Sequence, residues 1–419
     1  AKAVAFESTS RRVGPEFFAK YSVEELARYS DYWLEDQGRL THPMRYNPAT
    51  GHYEAVAWDE AFACIASKLN GLASPDEAIF YTSGRTSNEA AFLYQLFVRQ
   101  FGTNNFPDCS NMCHEPSGVG LIEQIGVGKG TVTLHDFEQA DLIMVFGQNP
   151  GTNHPRMLGE LRRAVQRGAR VLAFNPLRER GLERFADPQD ALEMLHNGSE
   201  RIASEYYQLR IGGDFAVAAG MIKHVLERDA EERAAGRAPL LDDAFIAEHT
   251  DGFAAFRAEV EALRWHELET LSGLSESRIR DAGKRYLHAE RAIVCWGMGI
   301  TQHKRAVAAI QMLVNLMLLR GHVGRPGAGI CPVRGHSNVQ GDRTMGIYEQ
   351  PAPAFLDRLR DVFGFEPPRA HGVDVIGAIE AMRDGRGKVF FAMGGNFAVA
   401  TPDSAATQAA LRQCELTVH

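Results

Sequence analysis

Two stretches of the chain concentrate side chains able to do chemistry. The first is Cys109-Ser110-Asn111-Met112-Cys113-His114-Glu115-Pro116-Ser117-Gly118, which places two thiols, an imidazole and a carboxyl group in one short run. A structural zinc site needs four ligands, and no second Cys-x-x-Cys or His pair follows Cys109, Cys113 and His114 nearby. An iron-sulfur cluster would want a third neighbouring Cys, which is also absent. Two readings remain, a single functional thiolate or an inert buried Cys. Spacing does not separate them, because free Cys is among the most buried residue types.

The second stretch is Gly321-His322-Val323-Gly324-Arg325-Pro326-Gly327-Ala328-Gly329-Ile330, continuing through Cys331-Pro332-Val333-Arg334-Gly335-His336-Ser337-Asn338-Val339-Gln340-Gly341-Asp342. So many glycines let backbone approach backbone or ligand closely. Arg334, between Val333 and Gly335, suits a fixed two-pronged grip on a carboxylate or phosphate. A structural ion pair is its plainer alternative.

Four segments share a plan that can position such groups: an apolar β-rich run, a polar loop containing Gly, then an amphipathic helical pattern. They are Ala78 to Tyr81 with a helix through Ala91 and Phe97, which Ser87 would cap; Leu142 to Phe146 with a helix to about Arg167, a Gly168 stop and a return strand Arg170 to Asn175; Ala292 to Trp296 with a helix to about Arg320; and Lys388 to Met393 with a helix over Ser404 to Arg412 and a terminal strand. Repeated strand-helix crossovers predict a mostly parallel α/β protein, with ligands beyond the carboxyl ends of the strands, where the Gly loops lie. For any one loop, Gly is also the ordinary turn residue. Gly126 to Thr131 lacks P-loop spacing and reads as a turn. Asp229 to Asp243 and Gln350 to His371 read as surface excursions.

Over 419 residues, 45% hydrophobic content is enough for two or three domains. Apolar runs such as Met312 to Leu319 stop well short of the ~20 residues of a membrane span. A net charge of −8 gives no footprint for nucleic acid. Six scattered cysteines indicate no disulfide framework, so a reducing, cytoplasmic setting is expected. The chain starts without Met and stops in a strand pattern, so both ends are expected to be cut. No loop carries Gly-x-Gly-x-x-Gly with an acidic residue ~20 positions on, which argues against a nicotinamide dehydrogenase. The loops do offer small residues and unsatisfied backbone N-H groups at helix starts, which suit phosphates.

Gly84-Arg85-Thr86-Ser87-Asn88-Glu89, Gly102-Thr103-Asn104-Asn105, Met112-Cys113-His114, Phe146-Gly147-Gln148-Asn149-Pro150, Trp296 to Gln302 and Pro332-Val333-Arg334-Gly335 to Gly341 occur in that order. Together they resemble the catalytic (alpha) subunits of formate dehydrogenases and formate-dehydrogenase-like proteins, within the dimethyl-sulfoxide-reductase superfamily of molybdopterin oxidoreductases. The resemblance spans nearly the whole chain. It implies two doubly wound, mostly parallel-sheet α/β domains that hold Mo or W through two pyranopterin (molybdopterin) guanine dinucleotides.

By that resemblance Cys113 stands at the metal-ligand position, His114 is the adjacent active-site histidine, exchanging a proton near neutral pH, and Arg334 orients an anionic substrate. Phe146, Gly147, Asn149, Thr152, Asn175, Trp296, Gly299 and Gln302 fall in segments that cradle the dinucleotides, joined by Gly335 and Gly394. The implied reaction is two-electron redox chemistry on a small substrate, formate to carbon dioxide leading. The same cofactor with another substrate, and a non-catalytic subunit of the same fold, are the rivals. Partners would be a small molecule and an electron-transfer subunit, with no nucleic acid and no membrane span.

The implied domains are 1–54, a remnant of an N-terminal domain; 55–110 with 337–419, a discontinuous α/β unit; and 111–336, a second α/β unit. No Cys precedes Cys64, so a 4Fe-4S cluster is expected only if cysteines lie upstream of Ala1. Glu115 replaces the Gly that usually follows the histidine in formate dehydrogenases. An ionised carboxylate ~6 Å from formate would cost on the order of 3 kcal/mol at an effective dielectric of ~20 unless it turns away or is neutralised.

Overall fold

The computed structural model describes residues 9–189, 194–196 and 198–419. The run Ala78–Thr82, apolar up to its final Thr, forms β1, buried throughout. It feeds the helix Asn88–Phe101 (α1), which Ser87 caps by accepting the Ala90 N-H at 3.3 Å. A short 3-10 turn at Cys109–Met112 leads into Glu115–Ile125 (α2). Then come Leu142–Phe146 (β2), Pro155–Gln166 (α3) and Arg170–Phe174 (β3), with Gly168 at φ 96° ending α3. The chain continues through Glu205–Tyr207 (β4), Asp214–Ala234 (α4), Glu276–Leu287 (α5), Ala292–Trp296 (β5) and Ala306–Leu318 (α6). It closes with Gly329–Pro332 (β6), Val339–Met345 (α7), Val375–Arg383 (α8), Val389–Met393 (β7), Ser404–Leu411 (α9) and Leu416–Val418 (β8).

These strands make two parallel sheets, as the crossover pattern predicts. One has the order β4-β3-β2-β5-β6, the other β8-β7-β1. In the larger sheet the order reverses between β2 and β5, so a crevice opens there at the carboxyl ends of the strands. Period-two alternation buries both faces. Leu142, Met144 and Phe146 face the layer of α4, α5 and α6, while Ile143 and Val145 face α3. Just beneath the crevice Phe146, Phe174 and Tyr207 stack across three paired strands at 4.0 and 4.7 Å. Burying each such ring stabilises by roughly 1.5–3 kcal/mol.

Several elements depart from the sequence reading. β6 lies inside the Gly-rich stretch, where no strand was expected, and begins at Gly329 with φ 153°. The supposed excursion at Asp229 continues α4, and Asp229 itself is fully buried, accepting the N-H groups of Leu240 and Leu241 and pairing with Arg233. The excursion at 350–371 contains the helix Pro353–Phe363 and packs back on the core, with the Asn104 amide donating to the Pro368 and Ala370 carbonyls. Near the start, a hairpin Met44–Asn47/His52–Ala55 precedes the helix Trp58–Asn70. Among the described residues no helix is long and apolar enough to cross a membrane.

Candidate active site

The cysteine-bearing segment lies against the loops that follow β5 and β6. Asp108 caps the 3-10 turn by accepting the Ser110 N-H at 2.6 Å, and Cys113 ends that turn, buried. His114 then precedes α2, whose first turn takes Glu115 and Pro116, residue types suited to a helix start. The carbonyls of Met112, Cys113 and His114 each accept one side-chain hydrogen bond, from Gln302 Nε2 (3.0 Å), Thr301 Oγ1 (2.6 Å) and Arg334 Nη1 (3.2 Å). Carbonyls cut off from water need such partners, and each bond contributes about 0.5–1.5 kcal/mol, more for a charged donor. A Cβ on Gly335 would lie 3.7 Å from Cys113 Sγ, so the loop after β6 passes directly beside the sulfur.

Burial pushes the Cys113 thiol up, while the Gly335 N-H and the Arg334 charge pull it down. His114 is fully buried. Its Nδ1 sits 2.9 Å from Ser117 Oγ, which also accepts the Trp296 Nε1 proton at 2.9 Å, and its Nε2 has no partner. Burial first and the Arg334 charge second hold the imidazole down at about 3. Both effects favour the neutral ring.

Arg334 donates from Nη1 to the His114 carbonyl and from Nη2 to the Gly128 carbonyl at 2.8 Å, while its buried Nε has no partner. Among the described residues the guanidinium has no ion-pair partner, so the structural ion pair does not exist, and burial lowers its proton affinity. Part of the expected free fork is nevertheless committed to backbone. The Gly126 to Thr131 turn is thus a wall of the site. Glu115 Oε2 accepts from Asn111 Nδ2 at 3.0 Å and pairs with Arg343 at 2.8 Å. Its carboxylate is thus turned toward Arg343, which shares its one positive charge between Glu115 and Asp108.

The expected cofactor residues divide. The Phe146 and Trp296 rings are fully buried in the core, one in the aromatic stack and the other donating to Ser117. Asn175 is buried with its amide donating to the Gln148 carbonyl, and Asn149 donates to Glu179 at 2.6 Å, so both order the loop after β2. Gly147 and Gly299 meet each other: the Gly299 N-H donates to the Gly147 carbonyl at 2.9 Å, and a Cβ on Gly299 would stand 2.7 Å from Gly147 Cα. Their smallness joins the two sides of the crevice. Thr152, Gly335 and Gly394 are exposed, Gly394 at the end of β7 beside Thr86. Thr301, Ser117 and Arg343 went unremarked in the sequence, since nothing in their types or spacing signals that they brace the cysteine segment.

Among the described residues no three His, Cys, Asp or Glu side chains converge as a metal-ligand set. A metal at Cys113 would have one protein ligand and need the rest from an organic group. The unpartnered His114 Nε2 and Arg334 Nε beside Cys113, with the Gly loops across the crevice, fit an anionic group of that kind. Residues 39–419 match the family model described as molybdopterin oxidoreductase. The chain belongs to that family. The family implies a Mo or W pterin cofactor, for which Cys113 would be the protein ligand.

Among molybdopterin-oxidoreductase relatives, the chain is 53% identical over 419 residues to protein YdeP of Escherichia coli strain K12, covering 100% of this chain and 55% of that protein. It is 33% identical over 322 residues to formate dehydrogenase H of the same organism, covering 76% of this chain and 41% of that enzyme. Acetylene hydratase from Pelobacter acetylenicus shares the fold, with a TM-score of 0.64 at 18% identity over 87% of this chain and 50% of that one. The chain spans about half the length of the curated relatives it matches.

Proposed function

We propose that this chain belongs to an enzyme that oxidises formate to carbon dioxide with Mo or W held by two pyranopterin guanine dinucleotides. The observation that carries the reading is Cys113, a thiol whose segment is braced at three successive carbonyls, beside a half-buried arginine with no ion-pair partner among the described residues. Formate loses two electrons and one proton in becoming carbon dioxide. The metal-pterin group supplies the two-electron chemistry when bound. Cys113 holds it as a thiolate, a soft ligand that the metal itself keeps deprotonated. Arg334 orients the formate carboxylate with the N-H groups it does not spend on backbone. His114 would take the proton once an anionic group bound at the site offsets the Arg334 charge that, with burial, holds its ring neutral.

The likeness to formate dehydrogenase H supports formate over other substrates. In this reading 55–110 with 337–419 fold around the smaller sheet and 111–336 around the larger, with 1–54 belonging to an N-terminal domain. Electrons leave through a partner subunit in the cytoplasm, and a 4Fe-4S cluster takes part only where cysteines precede Ala1. Metal analysis and acid hydrolysis of the full-length protein should give Mo or W with about two GMP per chain. Cys113→Ser should abolish formate oxidation with the nucleotides retained. Stoichiometric NAD(P) without metal, or full activity of the Ser variant, would remove this reading.

A further inference from the structure

Arg343 sits on α7, a short way beyond Arg334, and its guanidinium reaches back to both flanks of the cysteine turn. Nε lies 2.9 Å from Asp108 Oδ2, Nη2 lies 3.3 Å from Asp108 Oδ1, and Nη2 lies 2.8 Å from Glu115 Oε2. Asp108 begins the turn and Glu115 begins α2, so one side chain closes the segment that carries Cys113 between them. The guanidinium also covers the Tyr348 ring at 4.3 Å, and Asp108 is 2% exposed. α7 is itself firmly mounted: at its N-cap, Asn338 donates to the Gly84 carbonyl from backbone N and to the Thr86 carbonyl from Nδ2, each at 2.7 Å.

Besides this tie, among the described residues the flanks are joined through the Asn111 side chain, whose Nδ2 donates to Glu115 at 3.0 Å and whose Oδ1 accepts the Asp108 N-H at 3.3 Å. The three carbonyl braces fix the inside of the segment against the β5 and β6 loops, but none of them restrains its ends. A fork-shaped, always-charged side chain is the group able to bridge two carboxylates at once.

We propose that Arg343 is a positioning residue for Cys113: by tying Asp108 to Glu115 across the turn, it holds the sulfur in register with Arg334. The proposal rests on the reading of Cys113 as the working thiolate. It concerns the protein alone and can be tested without turnover.

The test is the rate at which iodoacetamide alkylates Cys113 in folded, full-length protein, read by mass spectrometry against Cys64, a half-buried thiol on the remote helix Trp58–Asn70. Arg343→Gln and Glu115→Ala should each raise the Cys113 rate about 10-fold relative to Cys64. The double variant should rise no further than the larger single effect, because both changes cut the same tie. Arg343→Lys keeps the charge but reaches only one carboxylate, so it should give an intermediate rate with unfolding temperature close to the parent's. Unchanged Cys113 reactivity in Arg343→Lys and Glu115→Ala, or effects that multiply in the double variant, would overturn the proposal, and these variants decide it if Arg343→Gln does not fold. Metal and GMP content of the same samples separates the two readings. Normal content with unaltered Cys113 reactivity in the variants removes the positioning role alone, whereas raised reactivity in the variants of a protein whose parent lacks metal and GMP removes the functional reading alone.

Discussion

Arg334 offers the sharpest separation of function from stability. Its guanidinium is largely buried, lacks an ion-pair partner among the described residues, and makes two hydrogen bonds to carbonyls. In Arg334→Met the two carbonyls lose charged donors, at about 1–3 kcal/mol each. The same change removes a buried, uncompensated charge, whose desolvation costs several kcal/mol. The two contributions oppose and are of similar size, so the unfolding free energy should move by no more than about 2 kcal/mol in either direction. Anion binding has no such offset. Loss of the charged fork should weaken formate or azide binding by about 10- to 1,000-fold, corresponding to roughly 1.4–4 kcal/mol, and Arg334→Lys should fall between. Urea unfolding and calorimetric titration of the full-length protein measure the two quantities. If Arg334→Met lost more than about 4 kcal/mol of stability while anion affinity held, the arginine would be a structural clamp and its assignment to substrate would be refuted.

Gly299→Ala puts a Cβ 2.7 Å from Gly147 Cα and must force the two loops at the crevice apart, so bound GMP should drop by at least half and stability by roughly 1–3 kcal/mol, both measured on purified protein. Asp214, at the start of α4, is pushed up by burial to about 7 from its ordinary 3.8, with His303 Nε2 at 4.0 Å. A carboxyl raised in the folded state favours folding while protonated, and that contribution disappears as pH rises from the unfolded value through about 7. Asp214→Asn should therefore match the parent near pH 4 and exceed it at pH 8, on the order of 2–4 kcal/mol, in thermal or urea unfolding. A variant no more stable than the parent at pH 8 would show that the buried carboxyl is compensated.

The sequence by itself determined most of the sheet strands and their class, β4 and β6 excepted. β2 and β5 run from Leu142 to Phe146 and from Ala292 to Trp296 as read, because a short apolar run between turn residues, buried on both faces, has few alternatives. The order of motifs likewise pointed to the family that residues 39–419 match. Periodicity failed where burial is all-round or the element is short, as in α4, with thirteen buried residues on one helix, and in the three-residue edge strand β4. Only the tertiary structure decided what each functional position does. Chain order cannot say that Thr301, Gln302 and Arg334 converge on three neighbouring carbonyls, that Phe146 and Trp296 turn into the core, or that Glu115 is met by Arg343. The reason is physical. A residue's type sets which bonds it can form, but its partners are chosen by long-range packing, and for a buried His114 or Arg334 that packing also sets charge state and availability.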